Sequence, residues 1–122
     1  NLIADMTKTY VYKVSNYLNR NGEIIPQAII DKAPSAELRP NQTDQDSLPE
    51  YAVLDDIIEK YCEQNLSIDE IAKKYDRDLV KDTVRRIYFA QFKRKQACLG
   101  VRLTERSFLK GINFPVVQKL YK

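Results

Sequence analysis

The sequence predicts a mainly helical chain that is interrupted by one long loop. Apolar residues recur at helical spacing in several stretches, and most of these stretches begin with Ser, Thr or Asp, the residues that cap helices. Between residues 32 and 50 this periodicity stops, and prolines at positions 34, 40 and 49 exclude a helix there. A loop of this length inside a compact domain is typical of a lid or a binding loop.

Residues 1–31 predict two helices. Asp5 or Thr7 is expected to cap the first, which ends between residues 19 and 22, and Pro26 suits the first turn of a short second helix. Lys8 falls in the first turn, where the helix dipole disfavours a cation, so it either faces a bound anion or, as we prefer, is simply solvated. The expected apolar positions are Val11, Val14, Tyr17, Leu18, Ile24, Ile25, Ile29 and Ile30.

Residues 51–96 predict a second helical region, and residues 97–122 an extended tail with little periodicity. Ser67 and Glu70 have the spacing of a capping box, and Asp76 or Asp78 is expected to cap the longer helix that follows. The expected inward positions are Tyr51, Leu54, Ile57, Ile58, Tyr61, Ile68, Ile71, Ala72, Tyr75, Leu79, Val80, Val84, Ile87, Tyr88, Gln91 and Phe92. The expected outward positions are Asp55, Asp56, Glu59, Lys60 and Glu63.

Charge is distributed unevenly along the chain. Residues 1–76 hold 8 basic and 14 acidic side chains, a net charge of −6, whereas residues 77–122 hold 12 basic and 3 acidic ones, a net charge of +9. A basic C-terminal part indicates an anionic partner such as a nucleotide or a nucleic acid. A solvated face that contacts the acidic part would give the same pattern.

Composition limits the chemistry that is available. The 122 residues are enough for one domain, and they include no histidine, so any acid–base chemistry has to use Lys, Arg, Asp, Glu or Tyr. Cys62 and Cys98 lack Cys-x-x-Cys spacing, so the sequence predicts neither a metal site nor a disulfide. No apolar run reaches the length of a membrane span and no leader opens the chain, which predicts a cytoplasmic protein without a membrane partner. The apolar start without an initiator methionine predicts a piece of a longer protein.

The long loop carries a resemblance to a known family. The run Lys32-x-Pro34-Ser35-Ala36-Glu37-Leu38-x-Pro40-x-Gln42-x-Asp44-x-Asp46-Ser47-Leu48-Pro49-x-Tyr51-x-x-Leu54-Asp55 resembles the C-terminal loop of NAD+ synthetases, especially of the glutamine-dependent class. The resemblance extends from Asp5-x-x-Lys8-Thr9-x-Val11-Tyr12 to Lys93-Arg94-x-Gln96 and Arg102-x-Thr104-x-Arg106-x-Phe108.

This resemblance implies the helical C-terminal part of an α/β, Rossmann-like domain of the adenine nucleotide alpha hydrolase type. In such enzymes ATP adenylates deamido-NAD+, pyrophosphate leaves, and ammonia displaces AMP. The resemblance implies that Lys32 contacts ATP and Lys93 contacts deamido-NAD+, while no catalytic residue is assigned. ATP and Mg2+ are the implied cofactors, with the metal ligands outside this chain, and residues 32–50 form a substrate loop that is expected to become ordered on binding.

Two positions depart from the family pattern, and several expected motifs are missing. Phe92 stands where His or Tyr commonly precedes the family lysine, and Glu50 where some ammonia-dependent enzymes have a threonine that contacts ATP. The Ser-Gly-Gly-x-Asp-Ser phosphate loop and the glutaminase Cys-Glu-Lys set do not occur in the chain. We therefore expect the chain to be inactive alone, to need upstream parts of the same protein, and to form a homo-oligomer; a scaffold remnant without activity is a third hypothesis.

Residues 66–95 leave another function open. A short helix, a brief turn and a basic second helix are also the pattern of a helix-turn-helix domain that binds nucleic acid. The predicted second helix, however, opens with Asp78, Leu79 and Val80 rather than with polar residues that contact bases, and a charge of +9 is modest for this role. We favour the synthetase hypothesis and expect no nucleic-acid partner.

Overall fold

Two compact units make up the computed structural model, which describes residues 1–108 and 111–115. Unit 1 comprises residues 1–6 and 56–122, and unit 2 comprises residues 7–55. The described residues are helical without a strand, as the sequence predicts, and the tail from residue 97 has turns and irregular backbone there. The tail prediction for residues 109–110 and 116–122 lies outside the described residues.

The helices follow the predicted order. Those of the described residues are α1 (Lys8–Leu18), α2 (Gln27–Asp31), α3 (Tyr51–Ile58), α4 (Ile68–Ile71), α5 (Arg77–Phe89) and α6 (Gln91–Gln96). Short 3-10 turns occupy Asn19–Asn21 and Asp44–Asp46, and a π-helical turn at Glu59–Glu63 continues α3. The predicted single long helix is therefore divided at Ala90 into α5 and α6.

Two of the predicted caps are confirmed. The Ser67 hydroxyl accepts a hydrogen bond from the Glu70 N–H at 3.3 Å, and the Glu70 carboxylate accepts one from the Ser67 N–H at 2.8 Å. Asp76 is the cap of α5, because its carboxylate accepts from the N–H groups of Asp78 and Leu79, both at 3.0 Å. These bonds satisfy donors that the first turn of a helix leaves without intrahelical partners.

The predicted side-chain cap of α1 is wrong. Thr7 occupies the N-cap position, but its side chain makes no capping hydrogen bond. The buried carboxylate of Asp55, on α3, accepts the hydrogen bond from the Thr9 N–H at 2.7 Å instead. Asp55 therefore lies inside unit 2 rather than on the outer face, since a carboxylate is stable there when it neutralises a helix N-terminus.

The core of unit 1 agrees largely with the helical periodicity. Ile57, Ile71, Val80, Val84, Ile87 and Gln91 are buried as predicted, and most other predicted inward residues are partly buried. Phe92, which is 48% exposed, was wrongly placed. The break at Ala90 explains this error, because it changes the direction in which the following residues point. The buried apolar residues are Ile57, Cys62, Ile71, Val80, Val84, Ile87 and Ile112.

The apolar stripe predicted for α1 is present but uncovered, whereas the core role expected of Ile24 and Ile29 is wrong. Neither α1 nor α2 contains a buried residue, and Tyr17, Leu18, Ile24 and Ile29 are exposed. The helical spacing of these apolar side chains is real, but the described residues offer no surface that covers them.

Asp5 fixes the tail within unit 1. This carboxylate is 4% exposed and accepts hydrogen bonds from the N–H groups of Leu103 (2.8 Å), Thr104 (2.9 Å) and Phe108 (2.7 Å), and from the Thr104 hydroxyl (3.0 Å). Burial alone would raise the pKa of Asp5, but these hydrogen bonds outweigh it and hold the pKa below its usual range. Asp5 is thus an anchor for the tail and not the predicted cap of α1.

Candidate functional site

A cleft of about 340 Å³ in unit 2 is the candidate site. Residues of α1, Ile25 and residues of α2 form one part of its lining, which is largely apolar, and residues of the long loop form the rest. The cleft contains two lysines, Lys8 and Lys32, and two carboxylates, Glu37 and Asp44. A surface that combines an apolar wall with ammonium groups suits an organic anion such as a nucleotide.

Lys32 directly follows α2, at the start of the loop. Its Nζ donates a hydrogen bond to Glu37 Oε1 at 2.6 Å, and both side chains are exposed. The hydrogen bond and the opposite charge raise the pKa of Lys32 and lower the pKa of Glu37. Lys32 is therefore a cation that is already paired within the cleft.

Left-handed backbone shapes the loop next to this pair. Glu37 has φ of +53° and Asn41 has φ of +57°. Asn adopts this region readily, whereas Glu pays about 1–2 kcal/mol for it. The Glu37 N–H donates to the Ser35 hydroxyl at 3.0 Å, so this turn and the ion pair with Lys32 together hold Glu37 in place.

Asp44 connects the start of the loop with the start of α3. Its N–H donates to the Pro34 carbonyl at 2.9 Å, and its carboxylate accepts a hydrogen bond from the Tyr51 hydroxyl at the start of α3. Burial, followed by the hydrogen bond and charge of Asp44, raises the pKa of Tyr51 to about 12. The loop thus has its own hydrogen-bond network without a ligand, and its further ordering on binding stays a prediction.

Lys8 joins Lys32 in the cleft, although sequence reasoning favoured solvation. It lies in the first turn of α1, and its Nζ is 5.6 Å from the centroid of the Tyr12 ring. The sequence signal for this site was the lysine in the first turn of α1, where the helix dipole disfavours a cation. An anionic ligand bound there would compensate for that unfavourable charge.

Lys93 belongs to unit 1, in contrast to Lys8 and Lys32 in unit 2. It lies on the exposed side of α6, with its Nζ 6.0 Å from the centroid of the Phe92 ring. The neighbouring Arg94 is buried, although it lies in the same basic last turn of α6 as Lys93 and Lys95. Exposure leaves Lys93 able to meet a ligand.

A second cleft, of about 620 Å³, lies within unit 1. Its charged side chains are held by neighbours: Arg106 donates to Asn65 Oδ1 at 3.2 Å, and Glu70 is the carboxylate of the α4 capping box. The cleft of unit 2 is therefore the stronger candidate for an anion, because it contains two ammonium groups.

The described residues show neither a cluster of metal ligands nor a membrane-spanning helix. No group of three or more His, Cys, Asp or Glu side chains that could hold a metal ion occurs among residues 1–108 and 111–115. No helix in that part of the chain is both long and apolar enough to cross a membrane. Cys62 and Cys98 are free thiols, and burial raises the pKa of Cys62 to about 11.

The helix-turn-helix hypothesis finds no support. α4 has only four residues, and the basic side chains of α5 that could meet phosphates, Arg85 and Arg86, make intrahelical contacts. Arg86 pairs with Asp82 at 2.6 Å, and the Arg85 guanidinium lies 5.2 Å from the centroid of the Phe89 ring.

Comparisons with known proteins complete this description of a helical segment with a lysine-bearing cleft. Residues 1–97 match the family described as NAD synthase. The chain belongs to this family.

Individual relatives are similar over almost the whole chain. A glutamine-dependent NAD(+) synthetase from Aquifex aeolicus (strain VF5) is 48% identical over 121 residues, covering 98% of this chain and 21% of the relative. One from Thermotoga maritima is 45% identical over 121 residues, covering 97% of this chain and 21% of the relative. The chain thus spans about a fifth of the length of these relatives.

A solved structure shares the fold. The glutamine-dependent NAD+ synthetase from Acinetobacter baumannii, in complex with adenosine diphosphate, is 30% identical with a TM-score of 0.54. The match covers 92% of this chain and 19% of that one.

Proposed function

We propose that the chain is the C-terminal part of the synthetase domain of a glutamine-dependent NAD+ synthetase. The observation that carries this proposal is the 48% identity with such a synthetase over 98% of the chain. In the proposed reaction, ATP adenylates the nicotinate carboxylate of deamido-NAD+, pyrophosphate leaves, and ammonia released from glutamine displaces AMP to form the amide.

The helical chain would complete an α/β, Rossmann-like domain whose other elements precede it. The similarity to a synthetase chain of which it covers 19% supports this arrangement. The phosphate loop and the glutaminase domain would be supplied by those upstream parts, with which this chain would function as one protein in the cytoplasm. Mg2+ would be held by ligands in those upstream parts, and no group of possible metal ligands occurs among the described residues.

Within the cleft, Lys32 and Lys8 would bind the phosphates of ATP. Two polyanions have to meet in this reaction, and preorganised ammonium groups stabilise the negative charge that develops on departing pyrophosphate. Lys32 lies on a loop and Lys8 on a helix, so the first can move while the second stays fixed. Phosphate oxygens would replace the Glu37 carboxylate as the partner of Lys32.

Lys93 would contact deamido-NAD+. Its exposed ammonium group on α6 supports this role, and Phe92 supplies an aromatic ring but no hydrogen-bonding group beside it. The substrate contact therefore depends on the charge of Lys93 and on the orientation of α6.

The test is deamido-NAD+-dependent ATP–pyrophosphate exchange in the full-length protein that contains this chain. We expect exchange by the wild type, and a loss of at least about tenfold in Lys32→Gln and in Lys93→Gln, since each removes one charge-assisted contact. Lys95→Gln, which removes an equally exposed neighbouring cation, is the matched control and should keep wild-type exchange.

The two substitutions should act on different substrates. Lys32→Gln should raise the KM for ATP, and Lys93→Gln should raise the KM for deamido-NAD+. The isolated 122-residue chain should show no exchange. A wild type that lacks exchange would overturn the proposed function, whereas active variants would overturn only the residue assignments.

A further inference from the structure

Arg94 is a buried cation whose aromatic partners come from the tail. The residue is 8% exposed, and its Nη2 donates to Gln91 Oε1 at 2.6 Å. Its guanidinium carbon lies 4.8 Å from the ring centroid of Phe108 and 5.9 Å from that of Phe114. Its Nε and Nη1 groups have no hydrogen-bond acceptor among residues 1–108 and 111–115, so aromatic contacts hold much of this side chain.

The tail residue Phe108 is fixed from two directions. Its N–H donates to Asp5 Oδ1 at 2.7 Å, while its ring faces the Arg94 guanidinium. Phe114 is also packed on a helix, because its ring centroid lies 3.9 Å from that of Tyr88 on α5. The tail is therefore held by contacts beyond Arg94 and can act as a support for α6.

α6 needs such a support. It has six residues, too few for a helix to be stable in water without tertiary contacts. Its buried residues are Gln91 and Arg94, so it lacks an apolar stripe of its own. The aromatic rings of the tail supply the apolar contact that this helix does not provide.

We propose that Arg94 is a positioning residue for Lys93: by packing against Phe108 and Phe114 it ties α6 to the tail and fixes where the Lys93 ammonium group points. The proposal rests on the proposed function, because it takes Lys93 as the contact for deamido-NAD+. The family match ends at residue 97, whereas the similarity to the Aquifex aeolicus relative covers 98% of the chain. The support from Phe108 and Phe114 thus lies beyond the matched family region and inside the part shared with a glutamine-dependent relative.

The kinetic test uses the full-length protein with Arg94→Lys and Phe108→Leu. Arg94→Lys keeps the charge but loses the planar group that packs on the rings, and Phe108→Leu loses a ring but keeps the Asp5 hydrogen bond. Each should raise the KM for deamido-NAD+ about tenfold, with kcat and the KM for ATP unchanged within about twofold. Lys95→Gln again serves as the control.

The combined variant separates positioning from independent contacts. Because both substitutions disrupt the same contact, their combination should raise the KM for deamido-NAD+ no more than the larger single effect. If the two increases in the KM for deamido-NAD+ multiply in the combined variant, the proposal is overturned. A wild-type KM in Arg94→Lys would also overturn it, because it would show that the charge of residue 94 is sufficient to position Lys93. If either variant fails to fold, Phe114→Leu, which changes the more distant ring, takes its place and should raise the same KM by a smaller factor.

A structural readout needs no activity. In the full-length protein, hydrogen exchange at the Arg94 and Ala97 amides, which donate to the Ala90 and Arg94 carbonyls, should become about tenfold faster in both variants. Unchanged exchange would overturn the proposal whatever the activity. Faster exchange together with an inactive wild-type enzyme would instead overturn the proposed function, and with it the role given to Lys93.

Discussion

At the scale of single residues, three aspartates are acceptors for donors that lie far away in the sequence. Asp5 binds the tail, Asp55 binds the first turn of α1, and Asp56 accepts from Lys74 and Tyr75 in addition to its near neighbour Lys60. The hydrogen bonds of Asp56, that from Lys60 first, lower its pKa. Helical spacing predicts an outer face for Asp55 and Asp56, because the spacing describes a single helix. The hydrogen bonds of these aspartates depend instead on which other segments of the chain approach that helix.

Replacing Asp5 should destabilise the chain in a manner that depends on pH. Asp5→Asn should lower the free energy of unfolding by about 2 kcal/mol at pH 7, because several buried donors lose a charged acceptor. The folded pKa of Asp5 is depressed, so its contribution is present above the ordinary pKa of about 4 and is lost as pH falls through the lowered value. Urea unfolding of wild type and variant at several pH values measures this difference.

The exposed Asp31→Asn is the control for this measurement. It should change the free energy of unfolding little at any pH. A constant gap between wild type and Asp5→Asn down to pH 2 would contradict the assigned role of the Asp5 charge.

Glu37 should compete with a ligand for Lys32. Removing its charge in Glu37→Gln frees the Lys32 ammonium group and should lower the KM for ATP in the full-length protein by about two- to fivefold, since exposed ion pairs are weak. Glu23→Gln removes another exposed carboxylate of unit 2 and should leave this KM unchanged. A higher KM for ATP in Glu37→Gln would show instead that Glu37 holds Lys32 in its binding position.

At the scale of elements, local signals predicted the helices well. The capping box at Ser67, the cap at Asp76 and the prolines of the loop act over a few residues, so the sequence alone specifies them. The division of α5 from α6 was not predicted, because it depends on contacts between distant segments. In the candidate site, the position of Lys32 on a loop was predicted. That Lys8 lines the same cleft could be seen only from the fold of unit 2.

The cap of α5 offers a matched pair of substitutions. Asp76→Ala should lower the free energy of unfolding by about 1 kcal/mol, because two first-turn amides lose their acceptor. Asp78→Ala, the other cap candidate of the sequence, should cost less than half as much, because its exposed carboxylate only approaches Lys81, at 3.9 Å. Thermal unfolding followed by circular dichroism compares them, and equal losses would contradict the assignment of the cap.

At the scale of the whole molecule, the exposed apolar side chains of residues 10–29 distinguish this chain from a self-contained domain. Ile24 is 72% exposed, and Tyr10, Tyr17, Leu18 and Ile29 are exposed as well. Large apolar side chains exposed in such number make this segment a candidate interaction site. Since the chain spans about a fifth of its relatives, the remainder of a longer protein and a second copy are both suitable partners.

The isolated chain should therefore self-associate through these residues. Ile24→Lys should weaken the association by about tenfold or more, because burial of one large aliphatic side chain contributes about 1.5–3 kcal/mol. Asn21→Lys adds the same charge to a nearby exposed polar position and should have little effect. Sedimentation velocity at several concentrations measures both, and equal weakening would assign the effect to charge.

The discontinuity of unit 1 has a consequence for biosynthesis. Residues 7–55 leave the ribosome as one continuous stretch, so unit 2 can acquire all of its contacts early. Asp5, in contrast, is synthesised 98 residues before Leu103, whose N–H it binds. Throughout that interval the Asp5 carboxylate stays hydrated and unit 1 stays incompletely folded. A nascent chain that is released before residue 103 would therefore expose to quality-control proteases a segment that the finished chain buries.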